Sequence, residues 1–353
     1  MINHPRYKIA IILPSLINSA PIIYYKNLTD VINLYFDITV FYFKGIDEVG
    51  FNCKTVKINF YDNINFRDYN LFQSFGLKPD YFLSKNRKKV FSPIISTIHS
   101  YLFFDLKSQF SFVYAYLLSF FWIFNLRKFD KLVCLTNDMM GYYSTFFIKN
   151  KLTFIYSGHS VKTNYLIDPN EYSIIKAFKS NKILLGIFAN ITYQKGIDHV
   201  IKFISSSNKY NLLIIGDGKY LTNLKNIAKQ FGVQDQCMFL GKKENAHKYF
   251  RLIDIYVLSS YQEGFGLVGL ESSIYKIPIV CNDIPVFREI YDEQNVCFYD
   301  CKDSDSFHKA LETTITNRMY YSNKIGELSR SKYSIDLMCL NYHKLYLSLI
   351  ERH

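Results

Sequence analysis

Two carboxylates, Glu263 and Glu271, stand with seven residues between them, and the first opens the string Glu263-Gly264-Phe265-Gly266-Leu267. The string follows an apolar run, Ile255 to Leu258, that reads as a buried strand, and it precedes an apolar helical stretch. Glycines on both sides of Phe265 let the backbone approach a ligand closely and adopt positive φ. The N–H groups at the start of the helix, together with its dipole, make an anion site that suits a diphosphate. An ionised carboxylate only accepts hydrogen bonds, so it pairs well with the hydroxyls of a ribose or another sugar. One carboxylate beside phosphate-binding amides and a second about one turn inside the helix would grip a nucleotide and a sugar at once. Taken singly, Glu263 also suits a helix dipole and Glu271 also suits solvent or Lys276. The whole string is far more specific than either residue.

A cation stands at a second helix start. Lys195 lies in Tyr193-Gln194-Lys195-Gly196, after the apolar run Ile183 to Phe188, where a lysine can reach a phosphate as a point charge. The plainer reading is one exposed lysine among many. The seven cysteines are odd in number and lack paired CxxC spacing, which argues against a disulfide framework or a zinc site and fits reduced thiols. There is no G-x-G-x-x-G after a strand, so a nicotinamide dehydrogenase is not indicated.

The elements that must position these residues alternate. In the second half, Ile183 to Phe188, Leu212 to Ile215, Met238 to Leu240, Ile255 to Leu258 and Ile277 to Cys281 read as short buried strands. Gly196 to Ile204 and Lys219 to Phe231 are helical stretches between them. The first half repeats the theme, with strands at Lys8 to Leu13, Ile38 to Phe43, Val90 to Ile98, Lys131 to Leu135 and Leu152 to Ile155. Alternation of this kind implies mostly parallel sheets with helices on both faces. The expected architecture is two Rossmann-like halves joined by a linker near Ser157 to Ser180, where polar residues and Pro169 interrupt the pattern.

Hydrophobic content of 49% against 20% charged residues supplies a sizeable core and excludes a disordered chain. No secretory signal segment begins at Met1. The net charge is +12, and both halves are basic. A basic surface suits an anionic ligand, anionic lipid headgroups or nucleic acid, and charge alone does not choose. Phe110 to Leu126 is almost uninterrupted apolar sequence, and its seventeen residues are marginal for a span of about twenty. A buried core helix, a membrane-surface face and a span are all open readings, with a true span splitting the sheet.

Taken together, the motifs resemble the retaining glycosyltransferases of family 4 (glycosyl transferases group 1), which have the two-domain GT-B fold. The resemblance covers nearly the whole chain and rests on Glu263 to Glu271 as an E-x7-E pattern headed by E-G-F-G. It also rests, in order, on Thr97-Ile98-His99, Ile155-Tyr156-Ser157-Gly158, Gln194-Lys195-Gly196, Ile214-Ile215-Gly216-Asp217-Gly218 and Phe239-Leu240-Gly241. Three positions depart from the family pattern. Ala189-Asn190 replaces a Gly-Arg pair, Asn18-Ser19-Ala20-Pro21 replaces a glycine-rich loop, and Ser157 replaces an asparagine. Asp303-Ser304-Asp305 looks like the D-x-D metal motif of the other large glycosyltransferase fold, but an N-cap before the helical stretch Phe307 to Ile315 explains it.

The resemblance implies two Rossmann-like α/β domains facing a cleft. Residues 1–160 would bind the acceptor, residues 161–334 the nucleotide sugar, and residues 335–353 would form a helix crossing back to the first domain. It implies Glu263, His99 and Lys195 as catalytic residues, with Glu263 on the donor sugar hydroxyls, Lys195 on the leaving diphosphate and His99 near the transferred sugar or acceptor. Glu271 would hold the ribose, and Gly264, Phe265, Gly266, Leu267, Asn190 and Gly218 complete the donor-binding set. No metal and no cofactor is expected beyond the nucleotide-diphosphate sugar itself. The expected partners are that donor, a lipid-linked or growing glycan acceptor and the inner membrane surface, with no nucleic acid. The expected location is the cytoplasm, peripherally at the inner membrane, in bacterial surface polysaccharide synthesis. The alternatives are an epimerase or phosphorylase on the same fold, or a degenerate nucleotide-sugar-binding scaffold.

Overall fold

The computed structural model describes residues 6–159 and 165–352. The chain divides into two compact units, Met1–His159 with Tyr333–His353, and Ser160–Lys332. The boundary expected at residue 160 lies outside the described residues.

In the first unit the strands are β1 (Lys8–Ser15), β2 (Asp37–Lys44), β3 (Lys54–Lys57), β4 (Leu71–Ser74), β5 (Ile94–Ile98), β6 (Lys131–Cys134) and β7 (Leu152–Phe154). They form one sheet in the order β3-β2-β1-β4-β5-β6-β7, and every pairing is parallel. Helices α1 (Ala20–Ile32), α2 (Leu77–Lys85), α3 (Leu102–Gln109), α4 (Phe112–Leu126) and α5 (Asn137–Tyr143) make the crossovers. Strand β5 is shorter than the apolar run suggests. It starts only after Pro93, which has no N–H to give a ladder.

The second unit opens with α6 (Pro169–Lys179) and continues through β8 (Ile183–Phe188), α7 (Ile197–Ile204), β9 (Tyr210–Ile215), α8 (Leu221–Gln230), β10 (Cys237–Phe239) and β11 (Ile255–Leu258). Then come α9 (Leu267–Ile274), β12 (Ile279–Asn282), α10 (Pro285–Ile290), β13 (Cys297–Tyr299), α11 (Ser304–Thr316) and α12 (Arg318–Lys332). Its sheet is also wholly parallel, in the order β10-β9-β8-β11-β12-β13. In α6 Pro169 begins a helix rather than interrupting structure. Proline suits the first helical turn, and the Asp168 carboxylate caps it by accepting from the amides of Asn170 and Glu171 at 2.9 and 3.1 Å. Asp303 likewise caps α11 through the amides of Asp305 and Ser306. The last helix, α13 (Ile335–Ile350), belongs to the first unit, where it packs on α1.

Both sheets are doubly wound: the chain reverses direction across the sheet between β1 and β4, and again between β8 and β11. Such a switch point parts the two flanking loops at the carboxyl ends of the strands and leaves a crevice for ligands.

Helix α4 buries only a narrow stripe, Ala115, Ser119, Ile123, Asn125 and Leu126. Its anchors are polar: Trp122 Nε1 donates to Asp80 Oδ2 at 2.7 Å, and Ser84 Oγ donates to Asn125 Oδ1 at 2.6 Å. Phe112, Val113, Leu117, Phe120 and Phe124 are exposed, so α4 is not a core helix. Among the described residues no helix is long and apolar enough to cross a membrane, which removes the span as well.

Candidate functional site

The switch point of the second unit holds the residues that the motifs single out. The loop after β8 runs from Ala189 to Gly196 and ends in a 3₁₀ turn, Tyr193–Lys195. The loop after β11 runs from Ser259 to Gly266, where α9 begins. Two hydrogen bonds, one backbone and one from a serine hydroxyl, join the two loops. The Tyr261 amide donates to Gln194 O at 2.8 Å, and Ser259 Oγ donates to Lys195 O at 2.6 Å. Gly196 has φ of +62°, and a Cβ there would stand 2.1 Å from Ser259 O, so only glycine lets the loops come this close.

This stitching brings Lys195 and Glu263 together from 68 residues apart. Lys195 Nζ lies 2.5 Å from Glu263 Oε2, and Ser260 Oγ donates to the same oxygen at 3.1 Å. Ser260 is fixed in turn, because Asn282 Nδ2 donates to its carbonyl at 3.0 Å. Both members of the ion pair are largely but not wholly covered, with side-chain exposures of 27% and 18%. Ser259, Ser260 and Asn282 were not singled out from sequence. The serine pair at a strand end directly before Glu263 is a local signal; Asn282, at the end of the neighbouring strand, has none.

Gly264, Phe265 and Gly266 are buried. Gly266 caps α9 with φ of +81°, and its missing Cβ would press on the Phe287 ring at 2.9 Å. Leu267 is the first residue of α9, so its amide belongs to the N-terminal end where the dipole is positive. Glu271 lies in the second turn of α9, half-buried. Burial pushes the phenol of Tyr256 up, and the charges of Glu271 and Glu263 push it further, so both carboxylates act on one buried group.

The loop after β9 backs this arrangement. The Ile191 amide donates to Asp217 O at 2.8 Å, and the Tyr220 amide donates to Ile191 O at 3.1 Å. Asn190 is thereby held on an exposed turn. The amide of Gly218 is taken by Asp217 Oδ1 at 2.7 Å. The structure thus gathers Lys195 and Glu263 in direct contact, with Gly264, Phe265, Gly266, Leu267 and Glu271 on the continuous segment behind them and Asn190 and Gly218 on the adjoining loops. His99 belongs to the other unit, just beyond β5, where burial holds its imidazole down to about 3. Among the described residues no three His, Cys, Asp or Glu side chains cluster as a metal site.

Chemically, the second unit offers a cation and helix amides for a diphosphate, and two acceptor-only carboxylates for hydroxyls. The family model for glycosyl transferases group 1 matches residues 169–332, which is this unit. The chain is 27% identical over 351 residues to the O-antigen biosynthesis glycosyltransferase WclY of Escherichia coli, covering 97% of this chain and 98% of the relative. It is 28% identical over 118 residues to the lipopolysaccharide core biosynthesis mannosyltransferase LpsB of Rhizobium meliloti, covering 31% of this chain and 34% of the relative. Among solved structures, Anabaena Alr3699/HepE in complex with UDP and glucose has a TM-score of 0.81 at 13% identity, covering 97% of this chain and 100% of that one. The family model thus falls on the unit that carries the site, a relative of the same kind runs along nearly the whole length, and the chain is a glycosyltransferase with the GT-B fold whose residues 169–332 match the glycosyl transferases group 1.

Proposed function

We propose that this glycosyltransferase is a retaining, metal-independent hexosyltransferase of family 4. It moves a sugar from a nucleotide-diphosphate donor to a lipid-linked or growing glycan acceptor in bacterial surface polysaccharide synthesis, at the cytoplasmic face of the inner membrane. The contact between Lys195 and Glu263 at the switch point carries this reading. In the free protein the two charges satisfy each other. A donor would exchange the partners, with Lys195 turning to the diphosphate and Glu263 to the sugar hydroxyls. Charge growing on the departing diphosphate then meets a cation and the α9 amides, which is the electrostatic help that a divalent metal supplies elsewhere. Glu271 takes the ribose hydroxyls.

The acceptor assignment is supported by the O-antigen and lipopolysaccharide roles of the relatives, and by the exposed apolar face of α4 in the first unit. Melting the protein with UDP, GDP, ADP and their hexose conjugates, with and without divalent metal, tests the donor site. A ligand at a hundred times its Kd adds about 2.7 kcal/mol of stability. A metal-independent rise with one nucleotide, lost in Glu271→Ala, is the expected result. No rise with any of them overturns the donor reading.

A further inference from the structure

Among the described residues His99 Nε2 finds no hydrogen-bond partner. Its ring lies among the aromatic rings of Tyr24 at 4.7 Å, Phe75 at 4.7 Å and Tyr25 at 5.9 Å, centroid to centroid. Tyr24 meets it edge-on, at 85°. The ring is half-buried by surface yet densely surrounded, and its Nε2 is buried with no hydrogen-bond partner among the described residues. Burial alone drives the imidazole down to about 3, so it is neutral near neutral pH. A buried ring nitrogen left without a partner is costly and uncommon in native structures. Its direction is set by the rings around it.

Those rings are set from the last helix. Tyr24 Oη donates to Tyr342 Oη of α13 at 2.8 Å, and Tyr342 Oη lies 2.9 Å from Thr97 Oγ1. Gln73 Nε2 donates to Thr97 Oγ1 at 2.8 Å, and Tyr346 Oη of α13 donates to Gln73 Oε1. All five side chains are buried. Thr97 stands two residues before His99, so the chain grips β5 close to the histidine as well as the ring that faces it. Tyr346 enters at Gln73 and makes no hydrogen bond to Tyr24.

We propose that Tyr342 and Tyr24 are positioning residues for His99: the hydroxyl contact from α13 to α1 fixes the Tyr24 ring edge-on to the imidazole and holds the imidazole in one orientation. The functional half of this proposal rests on His99 being part of the transfer site. The C-terminal helix then does more than close the first unit. It contributes a hydroxyl to the alignment of a residue more than two hundred positions away in sequence.

The full chain is labelled with ¹³C in its histidine rings, and His99 is assigned by the signal lost in His99→Ala. Tyr342→Phe and Tyr24→Phe keep each ring and remove one hydroxyl. The expected result is a shifted or split His99 signal in both. Turnover, read as nucleoside diphosphate released from whichever of UDP-glucose, GDP-mannose or ADP-glucose raises the melting temperature, should fall on the order of 10- to 100-fold with donor KM unchanged. Tyr346→Phe is the control. It loosens the same buried network and should lower the melting temperature while leaving the His99 signal and turnover in place. An unmoved His99 signal in Tyr342→Phe, or an equal movement in Tyr346→Phe, overturns the positioning role. A moved signal with wild-type turnover in His99→Ala shows instead that the reading of His99 has failed, and removes the proposal's functional half with it.

Discussion

Lys195 Nζ and Glu263 Oε2 stand 2.5 Å apart although the residues are 68 positions apart in the chain. The pair ties the loop after β8 to the loop after β11, and each member is the other's counter-ion. This gives the two residues different mutational signatures. Lys195→Ala removes the cation proposed to meet the diphosphate. A hydrogen bond to a charged group contributes about 1.5–3 kcal/mol, so nucleoside diphosphate affinity should fall roughly 10- to 150-fold. Glu263→Ala instead releases Lys195 from its partner. The bare nucleoside diphosphate should bind at least as tightly as to wild type, whereas sugar transfer collapses. Titration calorimetry with the nucleotide and with its sugar conjugate separates the two. Equal loss of bare-nucleotide affinity in both variants would mean that the pair acts only as a structural tie.

Gly266 carries the second prediction. Its φ of +81° disfavours a side chain, and a Cβ would meet the Phe287 ring at 2.9 Å. Gly266→Ala therefore strains the turn that launches α9, by about 1–2 kcal/mol from the left-handed backbone alone. The strain falls where the helix amides are proposed to face the ligand. Donor affinity should drop more than the melting temperature suggests, and Phe287→Leu, which opens space at the clash, should restore part of it. A variant that binds nucleotide normally would show that the α9 terminus is not part of the donor site.

The two loops that meet at the β8/β11 switch point were legible because each is written in a few adjacent residues at a strand end. Glu263-Gly264-Phe265-Gly266 and Gln194-Lys195-Gly196 announce a loop, a helix start and a charge together. What was not legible lies in contacts between distant segments. Strand β4, Leu71–Ser74, was missed because Gln73 and Ser74 look like surface residues; both are buried, satisfied by Thr97, Tyr346 and Asp80. Edge strand β3, Lys54–Lys57, is too short and polar to show a period. Tyr342 has no contrast in a chain with 30 tyrosines. The apolar run of α4 lacks the periodicity that separates a core helix from a surface one, so only the packed structure distinguishes them.

Asp80 gives a pH prediction with a definite sign. Its carboxylate accepts from Ser74 Oγ at 2.6 Å, Ser96 Oγ at 2.9 Å and Trp122 Nε1 at 2.7 Å. Burial outweighs these three bonds and raises the group from 3.8 to about 6. Between those values the folded chain keeps a proton that the unfolded chain has lost. The stability this represents is present below about pH 4 and is lost as pH rises through about 6, a change of ~3 kcal/mol. Asp80→Asn keeps an acceptor for Trp122 and cannot ionise. Its melting temperature relative to wild type should therefore rise from about pH 4.5 to about pH 7.5. Parallel curves across that range would show that the carboxylate is charged throughout.

The exposed face of α4 makes the last prediction. The helix has fifteen residues and no charged side chain, and at 1.5 Å per residue it is about 22 Å long, too short for a hydrocarbon core of about 30 Å. It can lie along a bilayer. Lys128 lies 5.6 Å above the Phe124 ring at one end, and Lys107 lies 5.8 Å above the Phe112 ring at the other, which places cations beside the apolar face where anionic headgroups would sit. Leu117 and Phe124, each 62% exposed, are two turns apart and can change without disturbing the buried stripe. Each contributes about 2 kcal/mol when buried in an apolar phase. The double variant Leu117→Asp, Phe124→Asp should keep its melting temperature and its nucleotide affinity, yet lose on the order of 100-fold or more in cosedimentation with phosphatidylglycerol vesicles. Wild-type binding to those vesicles should weaken with salt and exceed binding to neutral phosphatidylcholine vesicles, because the cations act only on charged headgroups. Wild-type protein that stays in the supernatant with both lipids would end the membrane reading of this helix while leaving the donor site untouched.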